Sequence, residues 1–187
     1  MGVESEAYLG VAILMCAKNS LIVFPAAIFV FAMAAVSLAN AAPPEDSCQL
    51  LTQAQVTSAL GVPMGAGSHV PPQFLKTCTW APAAGANQNV KYVTVSYQSA
   101  DAFGATKKVM EQTEAAMKTQ GDKDAQMANA SASGIGDDAF YTTMAGYTGL
   151  LVKKGNTAFK VAIYATLPVE KLKAMEKTLA LDVLSKL

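Results

Sequence analysis

From residue 48 onward the apolar positions repeat with two periods. Thr52 is followed three residues later by Gln55, and Val56, Ala59 and Leu60 come at helical spacing before Gly61, which predicts a short capped helix. Residues 62–74, VPMGAGSHVPPQF, are too rich in glycine and proline for a regular element. LKTCTW then alternates, putting Cys78 and Trp80 on one face of a strand, and VKYVTVSY places Val93, Val95 and Tyr97 on one face of the next, so the two read as a hairpin.

The period returns to helical in AFGATKKVMEQTEAAMKTQ, with Asp101 as its cap, Phe103, Val109, Met110, Ala116 and Met117 as its apolar face, and Gly121 as its stop. A polar stretch, KDAQMANASASGIGDD, leads to two strands, AFYTTM and YTGLLVKK. Gly155-Asn156 forms a two-residue hairpin turn into TAFKVAIYAT, where Phe159, Val161 and Ile163 alternate with Lys160, Ala162 and Tyr164. Pro168 opens a last helix whose stripe is Val169, Leu172, Met175, Leu179 and Val183. Short turns between consecutive strands predict an α+β domain, with a mainly antiparallel sheet of about five strands and about three helices on one face.

The first 41 residues follow a different logic. After Lys18 an apolar run from Leu21 to about Leu38 ends in Ala39-Asn40-Ala41, the small-residue pattern of a signal-peptidase site. Residues 1–41 are therefore read as a signal peptide, with a retained membrane anchor as the alternative because the run approaches the roughly 20 residues of a span. Glu4 and Glu6 do not suit the basic start of a signal, whereas MCAKNSLIVF does, so translation is expected to begin at Met15. Residues 42–187 form the expected single domain, periplasmic or secreted, with no stable membrane span after cleavage.

Charge narrows the partners. Loss of Lys18, Glu4 and Glu6 leaves 13 lysines against 12 acidic groups, and the chain has no arginine. Bidentate arginine contacts to phosphate and base edges are absent, and no dense basic patch replaces them, which argues against nucleic acid. No cofactor is called for.

Cys16 leaves with the signal, so the domain keeps two cysteines, Cys48 and Cys78, an even count that in an exported chain reads as a disulfide. Cys48 lies seven residues beyond Ala41, without a lipid-attachment box directly ahead of it, which disfavours a lipid anchor.

Candidate chemistry is sparse. His69, with Met64 nearby in the glycine-rich loop, supplies an imidazole and a thioether of the kind copper takes. The simpler reading is a solvated loop histidine. Asp137 and Asp138, after Gly134 and Gly136, could hold a hard cation such as calcium, or GIGDD is a tight turn into a strand. Met110, Met117 and Met175 read as core filler. No Gly-x-Ser-x-Gly elbow accompanies the single histidine, which leaves lysine or aspartate as the base of a small hydrolase.

Taken in order, Cys48-Gln-Leu-Leu-Thr52, Ala59-Leu-Gly61, Cys78-Thr-Trp80 and Gly134-Ile-Gly-Asp137 with Ala139 and Phe140 resemble a pattern in small exported bacterial domains of unknown function, some of them lipoproteins. The resemblance spans about residues 48–187. It implies a Cys48–Cys78 pair and a sheet with helices on one side, and it brings no catalytic residues. The leading expectation is a noncatalytic binding or envelope-associated domain with a protein or small-molecule partner in the cell envelope. A metal-binding protein and a small hydrolase are the alternatives.

Overall fold

The computed structural model describes residues 46–71, 76–86, 89–120, 127–144 and 146–187. The expected signal peptide, the Met15 start and the glycine stop at residue 121 lie outside the described residues.

Three helices, α1 (Gln53–Leu60), α2 (Ala100–Gln120) and α3 (Val169–Leu184), accompany six strands: β1 (Thr77–Trp80), β2 (Val90–Ser99), β3 (Ala128–Ser131), β4 (Asp138–Met144), β5 (Tyr147–Lys154) and β6 (Thr157–Ala165). The strands form one sheet in the order β1-β2-β6-β5-β4-β3, every neighbouring pair antiparallel. The α+β class holds. The added strand is β3, four residues of the polar stretch, with only partial burial to mark it in sequence.

Local signals translate directly. Thr52 and Gln55 close a full capping box on α1, and Gly61 ends it in the left-handed conformation at φ 65°. Lys154 pairs with Thr157 across the Gly155-Asn156 turn, and Asp137 accepts the Gly155 amide at 2.6 Å, so GIGDD braces the neighbouring hairpin. The cap of α2 differs from expectation. Ser99 Oγ accepts the Ala102 amide at 3.2 Å, while Asp101 sits inside the first turn.

The sheet is covered on both faces, which corrects the expected one-sided packing. Leu150, Val152, Phe159, Val161 and Ile163 point to α1 and α3 and build the main core with Trp80, Leu172, Leu179 and Val183. Leu151 and Ala158 point the other way, where Phe103 of α2 packs on them and on Phe140. The physical reason is visible in β5 and β6, whose burial is nearly continuous instead of alternating, as in strands covered twice. The chain reaches this arrangement because α2 carries it across the second face, from β2 to the far edge strand β3.

The outer edge of β1 is occupied by the glycine-rich loop. Ser68 exchanges both backbone hydrogen bonds with Thr79, at 2.9 and 2.8 Å, and Gly65 donates to Ala81 at 2.7 Å. Gly67 must be glycine for this approach, since a Cβ there would lie 2.7 Å from both Cys78 Sγ and the Trp80 ring.

Candidate functional site

The sequence-singled residues separate into two places, neither of which is a cleft. Cys48 and Cys78 are joined by a disulfide with their Cα atoms 4.9 Å apart. Cys48 belongs to a 3-10 turn, Ser47–Gln49, capped by Asp46, whose Oδ1 accepts the Cys48 amide at 2.7 Å. The bridge therefore ties this turn, ahead of α1, to the buried side of β1.

His69 is not solvated. Its side chain is 16% exposed, its Nδ1 is 2.8 Å from the Thr77 carbonyl oxygen, and its Nε2 is 3.1 Å from Asp46 Oδ1. Nδ1–H donates to the carbonyl, so the ring is a brace between the turn and β1. Asp46, Cys48 and His69 bring potential ligand atoms within 4.8 Å of one another, but the Cys48 sulfur is committed to Cys78 and is no thiolate. Met64 is buried in the main core, where it packs as an apolar side chain.

Asp137 and Asp138 diverge. Asp137 takes the Gly155 amide and Lys154, and that amide above all holds its carboxyl below the usual range. Asp138 faces α2 and pairs with Lys107 at 2.8 Å. Each carboxylate has a partner on a different element. A Cβ on Gly136, at φ 61°, would run into the Lys153 carbonyl, so this glycine serves a close backbone approach.

The cleft lies elsewhere, between α2 and the second face of the sheet. It is a cavity of about 500 Å³, within the range of small-molecule sites. Val109, Met110, Thr113 and Met117 line it from α2, Met127 from just before β3, and Thr142, Met144, Tyr147, Lys160 and Tyr164 from the sheet. Met127 is nearly closed off, whereas Val109 and Met144 are 55% and 45% exposed and form the rim. The gap exists because α2 is fastened along its other stripe. Glu114 accepts the Asn129 amide and side chain at 3.2 and 2.8 Å, Asn129 Nδ2 donates to the Met110 carbonyl at 3.0 Å, and Lys107 holds Asp138. Lys118 first, and Asn129 after it, hold the Glu114 carboxyl below its usual value. Those contacts fasten α2 to β3 and β4, while its Val109, Thr113 and Met117 side chains line the cavity over β5 and β6.

The floor is aromatic and cationic. Tyr92 stacks on Tyr164 with centroids 4.1 Å apart, Tyr147 leans on Tyr164 at 4.8 Å, and Lys160 Nζ lies 5.0 Å from the Tyr147 ring centre. Gly149 makes this packing feasible, because a Cβ on it would lie 2.5 Å from Tyr147 Oη and 2.8 Å from Lys160 Cε. Burial lowers the Lys160 pKa and, with the neighbouring phenols, raises that of Tyr147, so the phenol is held in its protonated form. None of the described lining residues carries a carboxylate or an imidazole.

On the core side of the same strands lies a further group that sequence reasoning passed over. Glu176 is fully buried in the stripe of α3. Its Oε1 accepts the Ile163 amide at 3.2 Å, while Oε2 and Thr148 Oγ1 lack a partner in hydrogen-bond geometry although the hydroxyl lies beside the carboxyl. Burial raises its pKa to about 8, against weaker opposing effects of Thr148, Ile163, Lys160 and Lys173. Sequence signals for the cleft were faint. They were the isolated glycine in YTGLLVKK and a lysine at the centre of the apolar run in β6.

No family model, curated protein or solved structure matches this chain.

Proposed function

We propose that this chain is an exported, noncatalytic binding domain that holds a small apolar or amphipathic molecule between α2 and the sheet. The observation that carries the reading is the cavity of about 500 Å³, walled mainly by apolar side chains and floored by a few polar groups. Four methionines, Met110, Met117, Met127 and Met144, contribute to it. Their unbranched thioether side chains adjust to ligands of different outline, as at other accommodating surfaces. Export is supported by the signal-like residues 1–41 and by the Cys48–Cys78 disulfide, a bond that persists in oxidising compartments. The resemblance to small exported bacterial domains points the same way, to the periplasm or the exterior. None of the described helices is long and apolar enough to cross a membrane.

A neutral fluorescent probe, N-phenyl-1-naphthylamine, tests the site. One equivalent is expected to bind with enhanced emission, and Thr113→Trp, which places an indole in the cavity from a half-buried position on α2, is expected to weaken binding by about tenfold or more. Absence of binding by the folded protein, or unchanged affinity in the variant, would refute the proposal.

A further inference from the structure

We infer that the ligand of this cavity is an amphiphile with a single anionic head, carboxylate or phosphate, seated against Lys160 with its apolar tail among the methionines. The inference rests on the binding-site reading above and adds the chemical class of the ligand.

Lys160 projects from the middle of β6, between its cross-strand neighbours Ser96 on β2 and Leu151 on β5. It is one of the side chains that line the cavity, with its stem across Gly149 and its ammonium over the Tyr147 ring. Among the described residues five ion pairs form, and none involves Lys160. The carboxyl group that acts on it is Glu176, from the opposite side of the sheet, and burial keeps that carboxyl largely protonated at neutral pH. A cation held in an apolar pocket with only an aromatic face for company is an incomplete pair.

An anion arriving from the open rim completes it. Tyr147 Oη, which packs beside the Lys160 stem over Gly149, has no hydrogen-bond partner among the described residues and is available to donate to the same head group. The phenol is held in its protonated, donating form by burial. Charge complementarity therefore selects an anionic head at the floor. The methionine and valine walls select a hydrocarbon body leading toward Val109 and Met144 at the rim. A cationic amphiphile would meet Lys160 head on, and a neutral one would leave it uncompensated.

Calorimetric titration of the folded domain with dodecanoate, dodecyl phosphate and 1-dodecanol tests this. At least one anion is expected to bind about tenfold or more tightly than the alcohol, and the stronger of the two identifies the head group. Lys160→Met keeps the stem's bulk over Gly149 and removes the charge, so the anions' advantage over dodecanol is expected to vanish. Lys160→Arg is expected to retain the preference. Equal affinity for anion and alcohol, or a preference that survives in Lys160→Met, overturns the anionic head but leaves the cavity as a binding site. Failure of all three amphiphiles and of the neutral probe overturns both.

Discussion

Glu176 occupies a position in α3 where Leu172 and Leu179 flank it in a buried stripe, and nothing in LKAMEKTLA marks it as different from the exposed Lys177 beside it. Its proton links stability to pH. The unfolded chain releases it near the ordinary value of 4.5 and the folded chain near about 8, so between these values the folded state binds more protons. Stability from this group is complete below 4.5 and is lost as pH rises toward about 8, by at most about 1.4 kcal/mol per pH unit. Lys160 and Lys173 oppose the shift, and Tyr141 and Tyr147 feel the charge once it forms. In Glu176→Gln the amide oxygen still accepts from Ile163 and the amide nitrogen can donate to Thr148 Oγ1. Urea unfolding at pH 5, 7 and 8.5 is expected to show a fall in the wild type that this variant lacks, and parallel profiles would contradict the assignment.

Among the elements, those whose shape is set by near neighbours match the sequence pattern most closely. The capping box on α1, the Cys78/Trp80 face of β1, the Gly155-Asn156 turn and the buried Leu172, Leu179 and Val183 of the α3 stripe all depend on residues within a turn or a strand pair of one another, while Val169 of that stripe is exposed. The element held by the disulfide is the turn before α1. Replacing both Cys48 and Cys78 by alanine is expected to cost roughly 3–4 kcal/mol in the chain-entropy view of a crosslink separating residues 30 apart. Urea titration measures this, and a loss below about 1 kcal/mol would show that the turn stays docked through Asp46 and His69 without the bridge. Helix α2 is the contrasting case. Its periodicity placed Val109 and Ala116 on the buried face, yet Phe103 is the side chain it buries fully, and both of those are exposed.

For the molecule as a whole, this asymmetry of packing gives the two long helices different stabilities. Hydrogen exchange followed by mass spectrometry is expected to find α2 amides from Val109 to Met117 exchanging faster than the α3 amides from Leu172 to Val183, with ligand slowing the former. Equal protection in the unliganded protein would mean that α2 is closed on the sheet and the cavity is not accessible through it.

While it left GIGDD open between a cation loop and a turn, the amino-acid pattern was sufficient for the α+β class, the positions of nearly all elements and the pairing of Cys48 with Cys78. These follow from short-range rules of periodicity, capping and turn geometry, and from a cysteine count of two. Tertiary structure alone decided which face of the sheet α2 covers, that Met110, Met117, Met127 and Met144 meet, that Gly149 opens room for Tyr147 and Lys160, and that Glu176 is buried. The facts about the cavity depend on where α2 is anchored by Asp138 and Asn129, residues brought to it from other strands, and the burial of Glu176 depends on how α3 packs on the opposite face. A side chain's environment is a property of its neighbours in space, and the sequence orders them only along the chain.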